Sequence, residues 1–184
     1  LGGGGYGVAP MVFLARALAA RGPRLRAVEG ARTAAELLLV EALARTGAEV
    51  ILTTEDGSRG LRGRVTDAVG PLLGHDRPSA LYACGPEGML GALSSLATAA
   101  GIPAQLSWEA YMRCGMGLCG SCERDGVLLC CEGPVVAAKP GGPDGAAMLF
   151  STSAASFANA RASSFCPFAQ RTMAPSSFSR IRCG

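Results

Sequence analysis

The sequence predicts an α/β fold: a parallel sheet with crossover helices that lacks its first strand, followed by a small loop-and-hairpin domain. Three observations carry this. Helical and strand-like apolar periods alternate from Met11 to Glu109, as crossover units do. A glycine run, Leu1-Gly-Gly-Gly-Gly5-Tyr-Gly7, opens the first helical pattern. Beyond the alternating stretch, Cys114, Cys119 and Cys122 crowd into a loop with Gly115, Gly117 and Gly120.

The first helix is written in Met11, Leu14, Ala15 and Leu18, and it stops near Gly22-Pro23. A glycine run at a helix start brings backbone N–H groups and the positive helix end close to a phosphate, so Gly3, Gly4, Gly5, Gly7 and Pro10 are candidates for a pyrophosphate loop. A flexible glycine-rich start accounts for the same residues equally well. Such loops follow a buried strand, and none is expected before Leu1, so the chain reads as truncated at its N-terminus.

A short strand over Leu25–Val28 comes next, then a helix from Thr33, with Thr33 and Glu36 as a capping box and Gly47 as its stop. Leu37, Leu38, Val40 and Leu43 are core candidates. Glu49–Thr54 is a β-branched strand ending in the turn Glu55-Asp56-Gly57-Ser58. Ligands gather at the carboxyl ends of strands in such sheets, so Glu55 and Asp56 are candidates to face a ribose, against the plainer reading of a solvated turn. Arg64–Leu73 is a helix ended by Gly74, and His75 beside Asp76 reads as a surface residue.

Ser79–Ala83 is a strand that runs into Cys84-Gly85-Pro86, with Pro86 suited to a first helical turn. Met89, Leu90, Leu93, Leu96 and Ala97 then form an apolar stripe ending before Gly101. Cys84, at the strand-to-helix switch, is either a nicotinamide-side residue or a small buried thiol. Ala104–Glu109 is the strand that leads into the cysteine loop.

C-x4-C-x2-C followed by a later cysteine is the spacing of a [2Fe–2S] cluster. Structural zinc sites come more often as two short pairs, disulfide frameworks suit small secreted chains, and a Rieske centre needs two histidines where this chain has only His75. The run Cys122-Glu-Arg-Asp125-Gly126-Val-Leu-Leu-Cys130 predicts a tight hairpin with a type I′ turn. It brings both Cys130 and Cys131 toward the loop, and periodicity alone does not choose between them as fourth ligand.

Residues 1–136 carry 12 basic and 13 acidic residues, so there is no basic excess to suggest nucleic-acid binding. Residues 137–184 carry five basic residues and one acid, five of the six Phe and no Glu. That composition predicts a disordered or read-through tail without an assigned function. No apolar run reaches membrane-span length and no signal peptide opens the chain, so free thiols and a metal cluster point to the cytoplasm. The expected organisation is a nucleotide-binding domain over 1–107, a cluster domain over 108–136 and the tail over 137–184.

With these motifs assembled, residues 1–136 resemble the electron-transfer subunit of class B, NAD-dependent dihydroorotate dehydrogenase, in the ferredoxin–NAD(P) reductase superfamily. Gly3-Gly-Gly-Tyr-Gly7-Val-Ala-Pro10 resembles its pyrophosphate loop, and Thr54-Glu-Asp-Gly-Ser58 with Gly63-Arg-Val-Thr-Asp67 its middle segment. Cys84-Gly-Pro86 with Met89-Leu90 resembles its nicotinamide-side motif. Glu109-Ala-Tyr111-Met-Arg-Cys114-Gly-Met-Gly-Leu-Cys119-Gly-Ser-Cys122, then Cys130-Cys-Glu-Gly-Pro134, resembles its cluster segment, the most specific match.

The resemblance implies a ferredoxin-reductase-type NAD-binding sheet and ligation by Cys114, Cys119, Cys122 and Cys130, the last chosen over Cys131 by its place before the acid-Gly-Pro run. It implies Gly85 and Pro86 beside Cys84 at the nicotinamide. It also implies FAD held mainly by an N-terminal barrel that this chain lacks, and NAD as acceptor, with Glu55 and Asp56 disfavouring a 2′-phosphate. The implied partner is a catalytic subunit that oxidises dihydroorotate on FMN for pyrimidine biosynthesis, in a heterotetramer without nucleic acid or membrane. No general base for dihydroorotate is expected in this chain. The competing expectations are a related NAD(P)H–ferredoxin or sulfide oxidoreductase subunit, a zinc-stabilised α/β module without redox chemistry, and a fragment inactive on its own.

Overall fold

The computed structural model describes residues 1–138. The expectation of a disordered tail therefore lies outside the described residues, except at Ala137 and Ala138. In chain order the elements are β1 (Gly2–Gly4), α1 (Val8–Ala19), β2 (Arg26–Ala31), α2 (Val40–Ala44), β3 (Glu49–Thr54), β4 (Leu61–Arg62) and α3 (Val65–His75). There follow β5 (Leu81–Cys84), α4 (Glu87–Ala100), β6 (Ala104–Ser107), β7 (Glu123–Arg124), β8 (Val127–Leu128), α5 (Leu129–Glu132) and β9 (Val135–Ala137). The described residues form two compact units, Leu1–Glu109 with residues 134–138, and Ala110–Gly133.

The first unit is a seven-stranded sheet in the order β4-β3-β2-β1-β5-β6-β9, parallel except where β9 runs against β6. Successive residues on β2 show how it is covered. Ala27 faces Val8, Val12 and Ala15 of α1 and Leu43 of α2. Val28 faces the opposite cluster, built from Val65, Val69 and Leu73 of α3 and Leu90, Leu93 and Ala97 of α4. Helices on both faces are the solution for a parallel sheet, whose strands are apolar on both sides.

The expected absence of a first strand is corrected by the structure. Gly2–Gly4 is itself β1 and lies at the sheet centre, with Gly3 opposite Glu29 on one side and Cys84 on the other. Three glycines carry no side-chain period, so only their backbone pairing marks them as a strand. Val28 N–H donates to the Leu1 carbonyl and extends this pairing by one residue.

The helix expected from Thr33 to Gly47 is also corrected. A 3-10 turn at Ala34–Glu36 is separated from α2 by Leu39, whose φ is 56°, and Thr33 makes no side-chain cap. The cause is a tertiary contact. Leu38 N–H donates to Glu29 Oε1 at 2.6 Å, taking an amide that the helix needed. Glu29 is only 1% exposed, and its other oxygen has no partner among the described residues.

The stripe expected on α4 is observed, with Leu90, Leu93 and Ala97 buried and Gly101 closing the helix at φ 65°. In the second unit Asp125 and Gly126 both have positive φ, as a type I′ turn requires, and β7 pairs with β8. The strand does not continue to Cys130 and Cys131, which lie on the single turn of α5. Among the described residues no helix is long and apolar enough to cross a membrane.

Burial raises the Glu29 carboxyl above its ordinary range, opposed by the Leu38 N–H and the charge of Arg59. The folded chain therefore holds this proton more tightly than the unfolded one. The resulting stability is present in acid and is lost as pH rises through the folded-state value. The Glu29→Gln variant is expected to gain stability relative to wild type as pH rises above the ordinary glutamate range, read by urea denaturation at each pH. A difference that does not change with pH contradicts this assignment.

Candidate functional site

In the first unit the sheet changes direction at β1. The chain builds outward through β2, β3 and β4, then returns to place β5 on the other side of β1. A doubly wound sheet opens its ligand crevice at such a point, outside the carboxyl ends of the strands. The residues at those ends here are the turn Gly5–Gly7 after β1 and Cys84-Gly85-Pro86 after β5.

These two turns touch through backbone. A β-carbon on Gly7 would lie 2.1 Å from the Cys84 carbonyl oxygen, and one on Gly4 would lie 2.7 Å from Met89 Sδ and 3.0 Å from Pro86 Cδ. Only glycine permits this approach. The start of α1 has no side-chain cap and no acidic residue in its first turn. N–H groups at the start of α1 donate back to the Gly5 and Tyr6 carbonyls and Pro10 has none, so what this end of α1 offers an anion is the positive end of the helix dipole. The structure thus brings Gly4, Gly7, Cys84, Gly85 and Pro86 together, whereas Gly3 sits within β1, a β-carbon on Gly5 would meet nothing within 4 Å, and Pro10 is exposed in the first turn of α1. Met89, read in the sequence both on the apolar stripe and in the segment that resembles the nicotinamide-side motif, closes on both Gly4 and Gly85.

Glu55 and Asp56 behave as the plainer reading had it. Asp56 accepts the Ser58 N–H at 2.9 Å and the Ser58 hydroxyl at 2.6 Å. The hydroxyl first, then the N–H, hold its carboxyl below the usual range. Glu55 lies 3.6 Å from Arg64 as an exposed ion pair.

The second unit places its cysteines on a loop with three left-handed glycines, Gly115, Gly117 and Gly120. Cys114 Sγ accepts N–H groups from Leu118 at 3.3 Å and Cys119 at 3.4 Å, and Cys130 Sγ accepts Gly117 N–H at 3.2 Å. Amides from Met116, Cys119 and Leu118 lower the pKa of the Cys114 thiol. The Ser121 hydroxyl and N–H, then Cys114, bring the Cys119 thiol down to about 6. The Cys119 sulfur is 3.1 Å from Ser121 Oγ.

Cys122 differs, being 2% exposed. The Cys130 N–H favours its thiolate, but the Cys130 thiol, burial and the Cys130 charge together outweigh this and raise it. The thiols of Cys114 and Cys119 thus act on each other, as do those of Cys122 and Cys130, and Cys130 Sγ also lies 3.8 Å from Cys131 Sγ. Among the described residues no three His, Cys, Asp or Glu side chains converge on a single metal-ion position.

The family model of the oxidoreductase NAD-binding domain matches residues 1–95. The chain belongs to this family. Among curated relatives it is 41% identical over 133 residues to a protein of Methanopyrus kandleri, covering 72% of this chain and 51% of that one. It is 42% identical over 135 residues to one of Archaeoglobus fulgidus, covering 72% and 56%. Both are named as a probable electron transfer subunit of dihydroorotate dehydrogenase B (NAD(+)). The chain spans about half the length of the curated relatives it matches.

A solved NADH-dependent reduced ferredoxin–NADP oxidoreductase superposes with a TM-score of 0.65 at 30% identity, covering 76% of this chain and 51% of that one. The chain thus carries an NAD-binding oxidoreductase domain of ferredoxin-reductase type.

Gly7→Ala forces a β-carbon into the Cys84 carbonyl and is expected to destabilise the chain by about 3 kcal/mol, with loss of the thermal shift given by NADH. Gly74→Ala, at an open helical position with nothing within 4 Å, is the control. It is expected to stabilise by about 0.5–1 kcal/mol. Thermal and urea unfolding of both variants check the contrast.

Proposed function

We propose that the chain is the NAD- and cluster-bearing half of an electron-transfer subunit of an NAD-dependent dihydroorotate dehydrogenase. Its partner in this reading is a catalytic subunit that oxidises dihydroorotate on FMN, in a heterotetramer in the cytoplasm. The observation that carries the reading is the pairing of four thiols on a glycine loop whose amides point at sulfur. It stands beside relatives of one name at about 40% identity over more residues than the NAD-binding domain model covers.

The donor set fits a [2Fe–2S] cluster. Cys114 and Cys119 would hold one iron and Cys122 and Cys130 the other, since each iron of such a cluster takes two protein ligands. When bound, the cluster supplies one-electron transfer between a flavin and the partner subunit. The chain's own part is to place charge. Amides of Gly117, Leu118 and Cys119 donate to ligand sulfurs and stabilise negative charge there, which favours the reduced form. Burial of Cys122 keeps water from that sulfur.

In the first unit, the uncapped start of α1 receives the dinucleotide pyrophosphate, and Gly4 and Gly7 let it approach the backbone. Cys84, Gly85 and Pro86 border the nicotinamide end. FAD would be held mainly by a segment beyond this chain's share of its relatives. The 30%-identical ferredoxin–NADP oxidoreductase favours a second reading, in which the electron donor is a reduced ferredoxin.

The test is co-expression with a dihydroorotate-oxidising subunit and an FAD-binding segment, followed by dihydroorotate-dependent reduction of NAD⁺. The proposal expects turnover, and Cys114→Ala is expected to cut it at least about 100-fold while NADH binding persists. Turnover with reduced ferredoxin and none with dihydroorotate supports the second reading instead.

A further inference from the structure

Cys131 follows the fourth thiol directly, and the cluster reading leaves it without a role. Its sulfur lies 3.8 Å from Cys130 Sγ, and both thiols are half-buried. Both also meet the same residue of the glycine loop. Gly117 donates its N–H to Cys130 Sγ at 3.2 Å, and a β-carbon on Gly117 would lie 2.7 Å from Cys131 Sγ. The loop therefore has room beside the Cys131 sulfur because residue 117 has no side chain. The single turn of α5 carries both cysteines and presents both sulfurs to one wall of the loop.

We infer that Cys131 is an interchangeable fourth ligand, so that Cys130 and Cys131 alternate at the same iron; this rests on the [2Fe–2S] reading above. One rotamer step moves a cysteine sulfur by about 3 Å, so side-chain rotation shared between the two residues spans their 3.8 Å separation without movement of the helix. In the exchange the bond from Cys130 Sγ to iron breaks as one from Cys131 Sγ forms. The Cys131 thiol proton passes to Cys130, and no electron is transferred.

The two states differ in their hydrogen bonding. Cys130 as ligand keeps the Gly117 N–H on a ligating sulfur, whereas Cys131 lies against the Gly117 α-carbon instead. Ligation by Cys131 thus removes one charge-stabilising bond and lowers the reduction potential. The doublet keeps the cluster bound when one thiolate dissociates and gives the site two potentials.

The experiment uses the full chain purified without oxygen, assayed for iron, sulfide and visible circular dichroism. A wild-type chain without iron and sulfide overturns the cluster reading, and the exchange with it. Given a loaded wild type, Cys130→Ala and Cys131→Ala are each expected to keep their iron, the former with an altered dichroism spectrum and a lower potential. The Cys130→Ala/Cys131→Ala double variant is expected to lose its iron. Loss of iron from Cys130→Ala as complete as in the double variant, with NADH protection of the first unit intact, overturns the exchange alone.

If Cys130→Ala does not fold, alkylation of loaded wild-type chain with iodoacetamide decides. Exchange predicts one label per Cys130–Cys131 doublet, shared between the two residues and located by peptide mass spectrometry. A label confined to one of the two thiols overturns it.

Discussion

The first unit depends on the approach of two backbones, Gly7 against the carbonyl of Cys84. A methyl group at residue 7 would sit 2.1 Å from that oxygen, well inside any van der Waals contact. Because it is absent, the turn after β1 and the turn after β5 close on each other across the central strand. Three consequences follow from this one contact. The strand Gly2–Gly4 is held between β2 and β5, the start of α1 is aimed over the strand ends, and Cys84-Gly85-Pro86 forms the other lip of the crevice. Gly4 meets Met89 and Pro86 for the same reason, so the site has little slack for substitution.

The cysteine loop answers a different problem. Four thiolates brought together repel one another, and an isolated loop has no core to hold them. Backbone amides supply the compensating positive ends of dipoles, and left-handed glycines turn those amides toward sulfur. The two pairs are not equivalent. Cys114 and Cys119 are exposed or half-buried, and their acidity is raised by amides and by Ser121, whereas Cys122 is buried and resists ionisation. A metal that supplies positive charge at the centre removes the cost of the buried thiolate, which is how ligand binding and folding of such a loop become coupled.

Much of this was legible from residues whose types act locally. The Asp125-Gly126 turn and the Leu90–Leu93–Ala97 face each depend on near neighbours, and each is found as read. What escaped depends on distant contacts. β1 has no side chains, so no period marks it, and its identity comes from partners 26 and 81 residues away, Glu29 and Cys84 opposite Gly3. The helix expected from Thr33 was lost to Glu29, a carboxylate on another strand that captures the Leu38 amide. β9 pairs with β6 across the whole second unit, and three residues, Val135–Ala137, are too few to show a pattern. Asp56, by contrast, follows the plainer of its two readings, its oxygen engaged within the turn by Ser58 two residues on.

The central claim is that the two glycine-lined turns at the ends of β1 and β5 grip one dinucleotide. Amide hydrogen–deuterium exchange of the full chain, with and without saturating NADH, tests this most directly. The account predicts slowed exchange at Gly4–Val8 and at Gly85 and Glu87 together, at the same NADH concentration. Binding of NADH that protects neither turn, or only one of them, contradicts it.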